Sequence, residues 1–399
     1  MKILVLNARI KSLEFDLREM PDEVSLVAGK INKIGSDHSV FTVGRDGAKP
    51  ESFLKKTVSH EDALEAVGGV LADAGFKVSD VAAVGHRVVH GGVFTDSVII
   101  SDAVKTEVYR DFDIAPLHNP YNLRIIEAAQ KIYDGVPHVA VFDTAFHSTL
   151  PETAYRYPLP ERLYHEYKIR RYGFHGPSHK YLVERTAALL GRAGSGLDMI
   201  TFYLGEGSSA AAIKGGKSVD TSMGFTPLEG LMMSTRSGDV SAGIIIFLLK
   251  NGWTIKELER TLNYESGLLG VSGESENFRE VMEHALAGDA KSRLAVDMYV
   301  YRARKYLGAY WLGLPGLAAV SLTGDVAEEI PYVRQRIFEN LESFGIEISK
   351  EKNDACVSRE AEISSDKSRV KIFVMPRSGD LLIARETYAV VNPRRTVIK

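Results

Sequence analysis

"KILVLNARIKSLEF", residues 2–15, and "MITFYLGEGSSAAAI", residues 199–213, carry one plan at two places in the chain. Each opens with a short apolar run, Lys2–Leu6 and Met199–Leu204, bends through a turn and returns as a second strand. The later turn, "GEGSS" at 205–209, is of the Gly-rich kind that lets backbone N–H groups approach an anion. The earlier turn opens at Asn7-Ala8, and its return strand begins at Ser12. It holds Arg9, Ile10 and Lys11 where an anion would want small residues. Ala210–Ile213 and Lys217–Thr221 continue the later copy as a hairpin. A strand, turn and hairpin met twice points weakly to a duplicated domain, because the copies share a pattern and no sequence beyond it.

Outward from these stretches the chain alternates strands and helices, which implies an α/β architecture. Val24–Ala28 and Val40–Val43 read as strands, residues 60–75 as a helix, and Val81–Val84 as a short buried strand. Residues 119–132 read as a helix, Val139–Phe142 as a buried strand, and 286–313 as one long amphipathic helix. Leu317–Leu322 and Val370–Val374 are further strands, and Leu381–Val391 is a helix. No linker-like or low-complexity stretch separates the halves, so two domains packed directly across a cleft are expected.

The chain has 399 residues with a formal net charge of −3, which predicts no nucleic-acid partner. No apolar run is long enough to span a bilayer, and no secretory leader is read at the N-terminus. A single cysteine, Cys356, excludes an intrachain disulfide and a cysteine metal cluster. A cytoplasmic location fits all of this.

Residues able to do chemistry gather at predicted strand ends, where open α/β folds bind ligands. They lie in "GHRVVHGG" (85–92), "APLHNP" (115–120), "AVFDTAFHS" (140–148), "RRYGFHGPSH" (170–179) and "DTSMGFTPLEGLMMSTRSGD" (220–239). Singly each has an ordinary reading: Asp143 as a turn former, a histidine as a core or surface residue, Arg236 as a solvated ion-pair member. Together they offer guanidinium, imidazole and carboxylate groups beside glycines, the equipment that phosphoryl transfer requires.

These motifs resemble those of acetate kinases, of the sugar kinase, Hsp70 and actin superfamily, in family order over nearly the whole chain. The resemblance implies two duplicated actin/Hsp70-like (ribonuclease H-like) α/β domains with a central cleft, and a homodimer. The N-terminal domain would run over 1–149, completed by a helix at about 381–399, with the C-terminal domain over 150–380. It implies reversible, magnesium-dependent phosphoryl transfer from ATP to acetate, giving acetyl phosphate. Arg87 and Arg236 match the arginines that hold carboxylate and phosphoryl group, His175 the histidine that stabilises the transition state, with His118 assisting, and Asp143 the catalytic aspartate. Val89, Leu117, Phe174 and Pro227 match the pocket for the acetate methyl. Such a pocket discriminates by only ~1–3 kcal/mol against one extra methylene, so propionate is a plausible second substrate.

On the nucleotide side Asn7, Ser12, Gly205, Gly207 and Gly324 match family positions, with Asn7 and Asp380 as candidate magnesium ligands. Other positions there depart from the family. Its turn reads Asn-Ala-Gly-Ser-Ser-Ser-Leu-Lys-Phe, so Ile10 replaces a serine and Glu14 a lysine. Its His-Leu-Gly-Asn-Gly is here Tyr203-Leu204-Gly205-Glu206-Gly207. Its Gly-Gly-Ile-Gly-Glu-Asn is Gly324-Asp325-Val326-Ala327-Glu328-Glu329. Near the C-terminus Gly379 stands in place of the magnesium-associated glutamate. A carboxylate ~4 Å from a phosphate oxygen costs on the order of 4 kcal/mol at an effective dielectric of about 20. Glu14, Glu206 and Asp325 therefore set a kinase using ATP or another phosphoryl donor against two alternatives. One is a degenerate paralogue binding acetate, acetyl phosphate or a partner; the other is an acyl phosphate hydrolase.

Overall fold

The computed structural model describes residues 1–45 and 49–393. The chain forms two units, one of residues 1–146 with the segment from Ser378 onward, the other of His147–Arg377. The first is built on eight strands: β1 (Lys2–Arg9), β2 (Ser12–Glu19), β3 (Val24–Asn32), β4 (Ser36–Arg45), β5 (Glu51–Thr57), β6 (Ala83–Val88), β7 (Val98–Ile99) and β8 (His138–Phe142). They lie in the order β5-β4-β3-β2-β1-β6-β8-β7, with β1, β6 and β8 parallel. Alternation along β1 makes the sheet two-faced. Ile3 and Val5 pack with Val139, Val141 and Ile383, the last from the helix Gly379–Val391. Leu4, Leu6 and Ala8 pack with the helices His60–Asp73 and Asn119–Ile132. A strand covered on both sides reads as a continuous apolar run, which is how β1 appears in the sequence.

The second unit carries β9 (Met199–Leu204), β10 (Ser208–Lys214), β11 (Lys217–Thr221), β12 (Ala319–Thr323), β13 (Ala361–Glu362) and β14 (Lys371–Val374). Their order is β11-β10-β9-β12-β14-β13, with β9, β12 and β14 parallel. Five strands of the first sheet, β3-β2-β1-β6-β8, match β11-β10-β9-β12-β14 in order and direction. The duplication read from two short stretches is thus a duplication of topology. Ile200, Phe202 and Leu204 face an apolar core shared with the helix Ala290–Gly313. Thr201 and Ser321 meet the helix Gly176–Leu189, where Thr201 bonds His179 at 2.7 Å and Ser321 bonds Thr186 at 2.7 Å. That second face is polar and buried, and each of these groups has its partner.

Two sequence readings are corrected. Asn7, Ala8 and Arg9 do not form the first turn; they stay in the ladder opposite Glu14, Leu13 and Ser12, leaving Ile10-Lys11 as the turn. Burial of Ala8 against the helices continues the apolar face to the end of the strand. The helix expected over 286–313 starts later, at Ala290, because Leu286 ends a separate helix, Phe278–Leu286. Gly288, at φ +101°, breaks them, and Asp289 caps the second by accepting from the Ser292 N–H at 2.6 Å. Among the described residues no helix is long and apolar enough to cross a membrane.

Candidate active site

In the first unit the chemistry sits at the carboxyl ends of the three parallel strands. Asn7 and Arg9 end β1, Arg87 and Val88 end β6, and Asp143 follows β8. Arg87 is gripped from two sides. Its Nε donates to Oδ1 of Asp143 at 2.8 Å and its Nη2 to Oδ2 at 2.5 Å, while Nη1 reaches Oδ1 of Asn7 at 3.2 Å. Asp143 is 1% exposed and the Arg87 side chain 16%, so the fork is nearly dry and its far end opens outward. The loop after β6 is pinned by two asparagines. Asn122 accepts from the Val89 N–H at 3.1 Å and donates to the Ala8 carbonyl at 2.9 Å. Asn119 holds the N–H and carbonyl of His90, each at 3.0 Å. His118 stands just before them as the residue preceding the helix Asn119–Ile132, and Leu117 is half-buried.

Glu14 is not a bare anion. Its carboxylate accepts from Asn7 Nδ2 at 2.8 Å and pairs with Lys30 at 3.2 Å and Arg9 at 3.7 Å. Burial works against its ionisation, but Arg9, Lys30 and Arg87 outweigh burial and hold its carboxyl below the usual range. The repulsion expected of Glu14 is therefore largely neutralised, through Lys30, whose strand β3 no pattern in the first turn could have indicated. Ser12 is buried at the start of β2. Asp380 differs. Burial, with the negative charges of Glu14 and Asp16, pushes its carboxyl up to about 7. Carboxylate and carboxamide oxygens are the donors Mg²⁺ takes, usually one or two from protein with water and phosphate completing the shell. Asp380 and Asn7 each carry such an oxygen, that of Asn7 already accepting from Arg87 Nη1 at 3.2 Å, and among the described residues no group of three or more His, Cys, Asp or Glu side chains could hold a metal ion.

In the second unit His175 precedes the helix Gly176–Leu189 in a left-handed conformation, φ 59° and ψ 24°. Its Nδ1 meets Ser209 Oγ at 2.9 Å; the same oxygen meets His179 Nε2 at 2.8 Å, and His179 Nδ1 meets Thr201 at 2.7 Å. His179 is fully enclosed, and burial, with His147 and His175 nearby, drives its pKa far down, so it stays neutral. Tyr203 lies beside His175 with ring centroids 4.5 Å apart, and a Cβ on Gly207 would come within 3.2 Å of the imidazole. The Gly205–Gly207 turn and His175 are thus brought together. Phe174 is buried, and its carbonyl meets His147 Nε2 at 3.0 Å. Arg171 joins the two loops that carry His175 and Arg236. It donates to the carbonyls of Thr221, Ser222 and Met223 at 3.0–3.2 Å and pairs with Glu229 at 2.5 Å. Arg236 reaches the Pro227 carbonyl at 3.4 Å. Ser209, His179 and Arg171 escape a reading by motif, because each acts through a partner distant in sequence.

Of the acidic substitutions here, Glu206 is exposed at the crest of its turn, and Glu329 points away to Arg279 at 2.7 Å. Asp325 lies against Gly205, where a Cβ would collide with its Oδ1.

The sequence pattern of the Acetokinase family matches residues 2–385. The chain belongs to the acetokinase family. It is 45% identical over 398 residues to the acetate kinase of Methanosarcina thermophila, covering 98% of this chain and 97% of that one. It is 44% identical over 398 residues to that of Acetivibrio thermocellus, covering 98% and 100%. The acetate kinase of Porphyromonas gingivalis superposes with a TM-score of 0.91 at 38% identity, covering 98% and 99%. A propionate kinase from Francisella tularensis does so at 0.92 and 36%, also covering 98% and 99%. The chain therefore has the duplicated actin/Hsp70-like α/β fold.

Proposed function

We propose that this protein transfers a phosphoryl group reversibly between ATP and acetate, giving acetyl phosphate, or a similarly short carboxylate, giving its acyl phosphate. Full-length similarity to acetate kinases supports the reaction class. The observation that carries it is the Arg87–Asp143 fork, which fixes a half-buried guanidinium of the charge a substrate oxyanion needs.

A short carboxylate is ionised at neutral pH, so it is already a nucleophile and needs no base. Asp143, with both oxygens engaged by Arg87, acts here as the group that fixes the arginine. Charge in a phosphoryl transfer spreads over the equatorial oxygens, and catalysis is mainly positioning and electrostatic stabilisation. Arg87, Arg236 and His175 supply donors of the required sign, with His118 assisting. Val89, Leu117, Phe174 and Pro227 would line the methyl site, and Gly205, Gly207 and Gly324, with Asn7 and Ser12, the nucleotide side. Mg²⁺, held by Asn7 and Asp380, would neutralise phosphate charge. We further infer a homodimer through the helix Ala242–Lys250, none of whose residues is buried and whose Phe247 is 63% exposed.

The test is hydroxamate trapping of acetyl phosphate formed from acetate and ATP·Mg²⁺. Product that requires both substrates is expected. Its absence with every phosphoryl donor, ATP, GTP and pyrophosphate, would overturn the assignment, and acetyl phosphate loss without ADP would turn it to hydrolysis.

A further inference from the structure

We propose that Asp325 is a displaceable stopper over the phosphate loop: its carboxylate occupies the approach to Gly205, and Arg377 is the cation that takes up a polyphosphate donor once Asp325 swings away. This rests on the phosphotransferase reading and names the residue pair that sets donor affinity.

Gly205 follows β9, Gly324 follows β12 and Arg377 follows β14, so all three stand at the carboxyl ends of adjacent parallel strands. A glycine at such a turn serves by leaving its Cα face open to an anion. Here that face is closed, because Oδ1 of Asp325 stands where a Cβ would project, with Tyr203 Cε1 at 3.5 Å. The backbone beneath Asp325 is fixed. Gly324 has φ +98° and packs on the backbone of Leu204, which no side chain at that position would allow. Glu328 accepts the N–H groups of Gly324 at 2.8 Å and Arg377 at 3.0 Å, tying the ends of β12 and β14 together. The buried Arg334 holds the Ala327 carbonyl at 2.5 Å. What can move is the Asp325 side chain, by rotation about its own bonds.

The charges around it suit an exchange. Arg377 hydrogen-bonds Tyr203 and faces the negative charges of Asp325 and Glu328. With Asp325 in place, an incoming phosphate meets a carboxylate on the open side of the glycine. With Asp325 turned out, Arg377 keeps Tyr203 and Glu328 and has one anion fewer to satisfy, so a phosphate oxygen can replace the carboxylate. The acetokinase motif carries glycine at this position, whereas this chain pairs the added acid with a new arginine, Arg377, and with Tyr203. Asp325 and Tyr203 both border the open face of Gly205, and both act on the charge of Arg377.

The experiment is calorimetric titration of the full chain with ATP·Mg²⁺ and, separately, with inorganic tripolyphosphate·Mg²⁺, for the wild type, Asp325→Asn, Asp325→Gly and Asp325→Asn with Arg377→Met. Both single variants should bind each ligand tighter by about tenfold, and Arg377→Met should erase the gain. Affinity unchanged within twofold in both single variants overturns the proposal. So does tightening for ATP alone, which would place Asp325 against the nucleoside. Asparagine keeps the size of aspartate, so a folding defect in the glycine variant leaves the comparison intact. Hydroxamate assays separate this from the parent reading. Tighter binding without product in any variant keeps the stopper and removes the kinase. Product with ATP alongside unchanged affinities does the reverse.

Discussion

Replacing Asp143 by Asn tests whether this carboxylate acts alone or through Arg87. The wild-type fork makes two charge-assisted bonds, at 2.8 and 2.5 Å, to a carboxylate that is 1% exposed. Asparagine can accept one of them; its amide nitrogen then faces a guanidinium N–H, donor against donor. Removing one partner of a buried pair costs about 3–5 kcal/mol. Arg87 keeps Asn7 at 3.2 Å and is 16% exposed, which places the cost near the lower end. About 3 kcal/mol is roughly a 150-fold loss in kcat/KM if the whole cost falls on the positioning of Arg87. The hydroxamate assay is run on Asp143→Asn, Arg87→Ala and the double variant. A positioning role predicts that Asp143→Asn does little further harm once Arg87 is gone. A further hundredfold loss in the Arg87→Ala background would show that Asp143 touches the reaction itself and refute the reasoning.

Ser209→Ala should interrupt the path from His175 to His179, lowering kcat about tenfold with the acetate KM held, and ¹⁵N spectra should show a changed His175 tautomer; an unchanged spectrum counts against the path. Burial holds His86 and His179 well below the usual 6.5, with His138 adding to the effect on His86 and His147 and His175 to that on His179. The unfolded chain therefore takes up protons below pH 6.5 that the folded chain refuses. Their contribution is intact above that pH and drains as pH falls, by about 1.4 kcal/mol per unit for each histidine. Melting temperatures flat from pH 7 to 5 would contradict this. Phe247→Glu should yield monomers in light scattering, and a dimer that survives it would place the interface elsewhere.

Glu14 shows where reading the chain in order stops. Its acidic character at a family lysine position is plain in the sequence, and the inference of repulsion follows from charge alone. Its neutralisation depends on Lys30, one strand further in the sheet, and on Arg9, which turns out to lie in β1. The Gly205 loop shows the opposite case. Asp325 is as acidic as Glu14, yet it ends up against the loop glycine because β12 runs beside β9.

The sequence alone determined the α/β class, the repeated strand-turn-hairpin plan and the residue types at the strand ends, because apolar periodicity and turn chemistry are local. Family motifs in order carried the reaction class. Only the tertiary structure decided which charges are paired, which histidines share a hydrogen-bond partner and which acid lies against Gly205. The charge pairs depend on antiparallel neighbours in one sheet and the histidine contacts on a helix laid against a strand, while the meeting of Gly205 and Asp325 depends on parallel strands joined by a long crossover.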